Sequence, residues 1–209
     1  MTTMTFPTLD DRRTSSATPG AMAPVTDNRP GYLAWGSAWA VGYGAMALDG
    51  GSTPVLDLPP PVAPGLLGLG LLAATVVTGI ATARGQRGAT GPAKVSGTMV
   101  GAAWLTGFTA LFLLITGLGR VLGDDHLQTV MWPAGSALVV GLLYLAGGAV
   151  ARDVVQYALG TWIAVIGTAA VFLDTPGLYV VLAVAGAGGY AIAAVLEPRR
   201  TAAARAAVA

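Results

Sequence analysis

The chain has 209 residues, of which 54% are hydrophobic and only 10% are charged, and its formal net charge is +1. Soluble domains usually carry about 25% charged residues, so this composition favours lipid over water as the surrounding solvent. The small net charge offers no basic field to nucleic acid. The sequence contains no cysteine, which excludes disulfides, thiolate metal sites and cysteine nucleophiles.

The chain divides into a polar lead, an apolar body and a short basic end. Residues 1–30 are rich in Thr, Ser and Pro, and no apolar run of the signal-peptide type follows Met1. We expect these residues to form a disordered cytoplasmic tail. Residues 31–196 predict an all-α, polytopic membrane helical bundle, and residues 197–209 predict a short basic cytoplasmic tail.

Six apolar stretches have about the 20-residue length that crosses a bilayer, and predict transmembrane helices at 31–48, 63–83, 98–119, 129–150, 154–173 and 176–196. Tight turns at Arg152–Asp153 and Asp174–Pro176 make the helices that they join antiparallel neighbours. The first stretch is the shortest and least apolar, so the alternative is that it lies in the membrane interface. Before the second stretch, Pro59–Pro61 favours a polyproline II path.

The basic residues predict the orientation of this bundle. If the N-terminus is inside, 10 of the 11 Lys and Arg residues lie in inside segments, and only Arg120 lies outside. The acidic residues divide evenly between the two sides, as the positive-inside rule allows. We therefore expect a multi-pass protein of the bacterial inner (plasma) membrane with both termini in the cytoplasm.

The sequence also contains a candidate repeat. Stretches one and three share the pattern A-W-x-x-G-[aromatic]-x-A-[M/L]-x-L, starting at Ala38 and Ala103, and stretch five keeps Trp162. This pattern predicts three repeated helical hairpins, related by an axis along the membrane normal. Chance similarity in an alphabet biased towards Ala, Gly and Trp is the alternative.

The 30 glycines, including Gly97-x-x-x-Gly101, are typical of close helix packing within a membrane bundle. A dimer face or a hinge for transport is the alternative interpretation. No Asp, Glu, Lys, Arg or His lies near the centre of any apolar stretch. This argues against a coupled antiporter with a buried carboxylate and against a midplane acid–base enzyme.

Two sets of side chains remain as candidates for chemistry. Trp39, Trp104 and Trp162 recur once per proposed hairpin and could wall an apolar ligand chamber, although filling the core is the simpler interpretation. The outer rim carries the only charged cluster: Asp49, Arg120, Asp124, Asp125, His126 and Asp174. Asp49 and Asp174 join the three tryptophans as candidate ligand-binding residues. Helix capping and solvation account for the rim more simply than a divalent ion does, so we predict no metal and no cofactor.

Several segments resemble a known group of proteins. They are Trp132-Pro133-Ala134, the segment LVVGLLYLAGG at 138–148, Asp153-x-x-Gln156-Tyr157-Ala158-Leu159-Gly160-x-Trp162, and the opening segment RPGYLxWG at 29–36. Together they resemble uncharacterised small six-span integral membrane proteins of high-GC bacteria, which often carry the loose label transporter or ABC transporter permease. The resemblance implies a six-span fold and a permease-like role, and it implies no particular site residues.

We therefore predict a permease-like or transport-accessory subunit that handles an apolar or amphiphilic small molecule. Its partners would be the lipid bilayer and a second membrane subunit or an ATPase, with no nucleic acid. One alternative is a membrane-embedded enzyme acting on a lipid or isoprenoid through the outer acids Asp49, Asp124, Asp125 or Asp174. The other is a non-catalytic structural or sensor subunit.

Overall fold

The computed structural model describes residues 26–87 and 90–206 of the chain, and every regular element within these ranges is helical. Most of the predicted N-terminal tail, residues 1–25, lies outside the described residues, as do residues 88–89 and 207–209. In chain order the helices are α1 (Arg29–Asp49), α2 (Val62–Gly85), α3 (Gly91–Leu122), α4 (Asp125–Ala151), α5 (Val154–Ala169), α6 (Asp174–Val181) and α7 (Ala187–Ala206).

Two irregular turns complete the second half of the bundle. A 3-10 turn, Ala170–Leu173, follows α5, and a π-helical turn, Leu182–Gly186, joins α6 and α7 into one continuous helix. Asp174 has a positive φ of 53°, and Thr175 is extended, with φ −94° and ψ 140°. The chain reverses at this point. As a result α5 and the segment after the reversal lie side by side, and the indole Nε1 of Trp162 on α5 donates a hydrogen bond to the carbonyl of Ala185, 23 residues later (2.8 Å).

Local sequence signals account for most helix ends. Asp124 caps α4 by accepting hydrogen bonds from two backbone N–H groups, and Asp153 caps α5 by accepting one from the N–H of Gln156 (3.0 Å). Arg152, with φ 54°, makes the left-handed turn between these helices, so the predicted reversal at Arg152–Asp153 is confirmed. The polyproline II prediction is wrong. The N–H of Val62 donates to the carbonyl of Pro59 (2.9 Å), so the prolines form a turn that starts α2.

Four helical segments of the described chain are long and apolar enough to cross a membrane: Val62–Gly85, Lys94–Leu122, His126–Ala151 and Val154–Ala206. The last has 53 residues, about 80 Å if it were a single straight helix. The reversal at Asp174–Thr175 divides it into two antiparallel parts, α5 and α6–α7. These apolar helices are compatible with a membrane protein.

The helix α1 is buried along one face, although it is not among these four apolar segments, and Leu33, Val41 and Leu48 on its other face are exposed. It contacts α2, α6, the π-helical turn and α7, and it buries Tyr32, Trp39 and Tyr43 almost completely. Two of the four apolar segments are peripheral: α2 packs mainly on α1, and α3 packs mainly on α4. Their exposed faces carry large side chains, among them Leu69 and Leu72 on α2 and Leu105 and Leu113 on α3. Such a surface suits lipid better than water.

Glycine brings α4 and α5 into backbone contact. A methyl group added at Gly148 would lie 2.5 Å from the backbone nitrogen of Tyr157, and one added at Gly141 would lie equally close to that of Ala164. At Gly160, on the facing side of α5, the nearest atoms are also backbone atoms. The interpretation of glycine as a packing residue therefore fits this hairpin. Gly101 faces open space instead.

Candidate ligand-binding site

A cavity of about 430 Å³ opens between α2 and α4, with α1 and α6 forming its floor. Its lining residues are Tyr43, Met46, Leu67, Leu71, Gln128, Thr129, Trp132, Pro133, Ser136 and Tyr179. No carboxylate and no cation is among them. The cavity extends over two turns of α4, about 12 Å from Gln128 to Ser136. It lies at the end of the bundle where α1 ends and α4 begins, which is the end predicted to face the exterior.

The lining of the cavity combines neutral polar groups with apolar surface. Gln128 and Thr129 lie in the first turns of α4, and Ser136 lies about two turns further along the same helix. Trp132, Leu67 and Leu71 contribute aromatic and aliphatic surface. Such a lining matches an amphiphilic molecule, because it offers hydrogen-bonding groups beside a largely apolar wall.

Proline 133 contributes to the wall of the cavity. It lies inside α4 and has no N–H to donate to the carbonyl four residues earlier, which is that of Thr129. The Tyr179 hydroxyl on α6 donates to this carbonyl at 3.5 Å. The carbonyl that Pro133 leaves without its helical donor therefore accepts a hydrogen bond from a side chain of α6.

A chain of aromatic rings leads from the cavity into the core. Tyr179 stacks on Tyr43 (ring centroids 6.1 Å apart), and Tyr43 meets Trp39 edge-on at 5.5 Å. Trp39 meets Tyr190 of α7 at 5.5 Å, and Tyr190 meets Tyr144 of α4 at 6.1 Å. Tyr43, which lines the cavity, is therefore held between the rings of Tyr179 and Trp39.

The three candidate tryptophans have different environments, and none of them lines this cavity. Trp39 is only 2% exposed and belongs to the aromatic core, while a methyl group at Gly186 would lie 2.5 Å from its ring. Trp104 is partly buried and stacks on Phe108 at 6.1 Å. Trp162 is 47% exposed and lines a separate groove between α5 and α7. Trp132 does line the cavity, although it was not among the ligand-binding candidates from the sequence.

The outer acids are engaged in local contacts. Asp49 accepts a hydrogen bond from the N–H of Leu58 (2.9 Å) and thereby closes the loop that follows α1. Asp174 lies 3.0 Å from Nε2 of His126, and both side chains are exposed. Asp124 caps α4, and the side chain of Asp125 lies outside the described part. Within residues 26–87 and 90–206, no group of three or more His, Cys, Asp or Glu residues could hold a metal ion.

A second charged cluster lies at the opposite end of the bundle. Glu197 is fully buried and forms two hydrogen bonds with the guanidinium of Arg200, which also lies 3.2 Å from Asp153. Glu197 accepts a further hydrogen bond from the backbone N–H of Asn28 (2.8 Å), and Arg200 donates one to the carbonyl of Thr26. The cluster joins the start of α1, the start of α5 and the end of α7.

Sequence reasoning missed this cluster, because Glu197 and Arg200 were assigned to a solvated tail. The local signal was the spacing of three residues between an acid and a base on one helix, which is common on solvated helix surfaces. The contacts made by Asp153 and Asn28 are distant in sequence, so no local pattern shows them.

The cavity has apolar walls and a few neutral hydrogen-bonding groups, and no carboxylate or imidazole is among its lining residues. The acids lie outside it and are engaged elsewhere. No protein family model, no curated protein and no solved structure matches this chain.

Proposed function

We propose that this protein is an integral membrane protein of the permease-like or transport-accessory kind, and that it binds an apolar or amphiphilic small molecule in the cavity between α2 and α4. The observation that carries the proposal is the lining of this cavity, in which Gln128, Thr129 and Ser136 accompany Trp132 and two leucines, and in which there is no carboxylate and no cation. The resemblance to six-span proteins often labelled transporters favours the same reading.

We further propose that all six helical units cross the inner membrane, with both termini in the cytoplasm. The helix α1 has too little apolar character to be identified as a membrane span from its composition alone. Its packing supports a crossing, because α2, α6 and α7 cover the face that carries Trp39 and Tyr43, while the other face presents Leu33, Val41 and Leu48. Such a helix needs small residues and aromatic packing more than it needs leucine.

The lining of the cavity contains no group that couples binding to a proton or sodium gradient. Movement of a ligand would therefore depend on the ligand's own gradient or on a partner subunit such as an ATPase. The enzyme alternative requires an outer acid to act on the ligand. Asp49 and Asp174 are not among the residues that line the cavity, which favours binding over catalysis.

Photolabelling tests the proposal. The purified full-length protein is incubated with a long-chain amphiphile that carries a photoreactive diazirine in its alkyl chain, and the labelled peptides are mapped by mass spectrometry. We expect saturable labelling of α4 at 128–136 and of α2 near Leu67 and Leu71, and competition by the same amphiphile without the diazirine.

A pair of variants on one helix provides the control. Leu71→Trp places a bulky side chain in the cavity and should abolish most of the saturable labelling. Leu69→Trp makes the same change at a position that is 69% exposed and outside the cavity, and should leave the labelling unchanged. Equal labelling of both variants would show that the amphiphile binds elsewhere. Loss of a reaction product after Asp174→Asn, with labelling intact, would instead favour the enzyme alternative.

A further inference from the structure

A second concave surface lies between α5 and α7, on the other side of the bundle from the first cavity. It has a volume of about 260 Å³ and is lined by Val155, Ala158, Leu159, Trp162, Gly189, Ile192, Ala193 and Leu196. All of these side chains are apolar apart from the indole nitrogen of Trp162, which already donates to the carbonyl of Ala185. The groove therefore offers no partner to a polar ligand along its walls.

Two arginines lie at one end of this groove. Ile192, Leu196 and Arg199 follow one another on a single face of α7, because positions four and seven residues apart lie on the same side of a helix. Arg152 immediately precedes the capped start of α5, three residues before Val155. The end of the groove formed by Val155 and Leu196 therefore lies next to both arginines, while Trp162 and Gly189 lie about 10 Å further into the bundle.

These two arginines differ from Arg200 in their surroundings. Arg200 points into the bundle and pairs with Glu197 and Asp153. Arg152 and Arg199 are exposed, and in the described ranges of the chain no carboxylate forms an ion pair with either of them. Two cations without an acidic partner at the mouth of an apolar groove form a surface of mixed character: positive at the membrane boundary and apolar below it.

We propose that this surface binds an anionic phospholipid, with its phosphate at Arg152 and Arg199 and one acyl chain in the groove against Ile192 and Trp162. Two observations select this occupant. The apolar walls match hydrocarbon, and the cations that lie next to Val155 and Leu196 along their helices match a phosphate. Basic sites between helices at the cytoplasmic side are typical of anionic lipid binding.

A second copy of the chain fits this surface less well. Symmetric pairing of two grooves would bring Arg152 and Arg199 of each copy close to the same residues of the other, and like charges repel. The phospholipid proposal rests on the membrane location proposed above, but it is independent of the ligand in the first cavity.

Native mass spectrometry of the full-length protein in detergent tests the proposal through titration with phosphatidylglycerol and, separately, with phosphatidylcholine. We expect phosphatidylglycerol to bind more tightly. Arg199→Gln should weaken its binding about fivefold, since one basic residue near an anionic headgroup contributes about 1 kcal/mol. Arg205→Gln removes a charge from the same helix end, away from the lining of the groove, and should change binding less than twofold.

The apolar half of the site is tested separately. Ala158→Phe fills the groove and should reduce phosphatidylglycerol binding, whereas Ala102→Phe makes the same change on the exposed face of α3 and should not.

Equal effects of Arg199→Gln and Arg205→Gln would overturn the proposal, because attraction would then be non-specific. Competition by glycerol 3-phosphate at concentrations similar to those of the lipid would also overturn it, because the groove would then contribute nothing. Photolabelling of the first cavity should be unchanged in Arg199→Gln, so failure of one proposal is distinguishable from failure of the other.

Discussion

The helices α4 and α5 are in backbone contact at Gly160, and the addition of one methyl group at this position should destabilise the protein. In Gly160→Ala the added carbon would lie 2.6 Å from the carbonyl oxygen of Gly141 and 2.9 Å from the carbonyl carbon of Tyr144, where ordinary contacts begin at 3.4 Å. All of these neighbours are backbone atoms that cannot rotate away. The helices α4 and α5 must therefore separate by most of an ångström.

This separation has a predictable cost. Overpacking of a close interface costs about 1–3 kcal/mol, and alanine returns about 0.5–1 kcal/mol of that through its higher helix propensity. We expect a net loss of about 1 kcal/mol, near the middle of the difference between these two ranges. For a chain of this size, this loss lowers the midpoint of thermal unfolding by roughly 2–4 °C. The measurement is thermal unfolding of the purified protein in one detergent, followed by circular dichroism.

Gly101→Ala is the matched control, because a methyl group there meets no atom within 4 Å. Only the propensity effect remains, so this variant should unfold at an equal or slightly higher temperature. Equal midpoints for Gly160→Ala and Gly101→Ala would refute the backbone contact between α4 and α5. A destabilised Gly101→Ala would show that this face of α3 is covered by something other than the bundle described here.

Three further results are expected. Arg200→Ala leaves Glu197 and Asp153 buried without their cation and should lower the free energy of unfolding by about 3–5 kcal/mol. Arg199→Ala, at the exposed neighbouring position, should change this free energy by less than about 0.5 kcal/mol. Unfolding of both variants in the same detergent measures the difference. A carbene reagent dissolved in the lipid should label α2 and α3 strongly and α1 weakly, and strong labelling of α1 would place that helix at the lipid surface. Reporter fusions should indicate the exterior after Asp57, Asp125 and Asp174 and the cytoplasm after Thr90 and Arg152, and a cytoplasmic signal after Asp57 would show that α1 does not cross.

The sequence predicted the helices well, because length and apolar character are local properties. Each of the six predicted stretches lies within a helical part of the structure, and the ends differ by a few residues at most positions. The larger differences have local causes. The helix α3 starts at Gly91, seven residues before the apolar stretch at 98, with Pro92 in its first turn, and α7 continues through Pro198 to Ala206. Polar residues can extend a helix beyond its apolar part, and hydropathy does not report this extension.

The side chains that form sites were less predictable, because sites join residues that are distant in sequence. Glu197 and Asn28 are 169 positions apart, and only the fold brings them together. The candidate repeat made Trp39, Trp104 and Trp162 equivalent, but the first is buried, the second is partly buried and the third is half exposed. The repeat therefore stays a prediction, and the three tryptophans that it relates differ in how deeply they are buried.

The contrast between α1 and α2 shows what hydropathy measures in such a chain. In lipid, an apolar side chain gains little by leaving the solvent, so the helices that face lipid can remain uniformly apolar and contribute little to the core. The helix α1 must instead pack closely along the face that meets α2, α6 and α7, which requires Gly42 against Leu67 and aromatic rings such as Trp39 against Tyr190. Low apolar character in a segment of spanning length therefore indicates a closely packed helix as readily as an interfacial one, and burial of the aromatic residues separates the two cases.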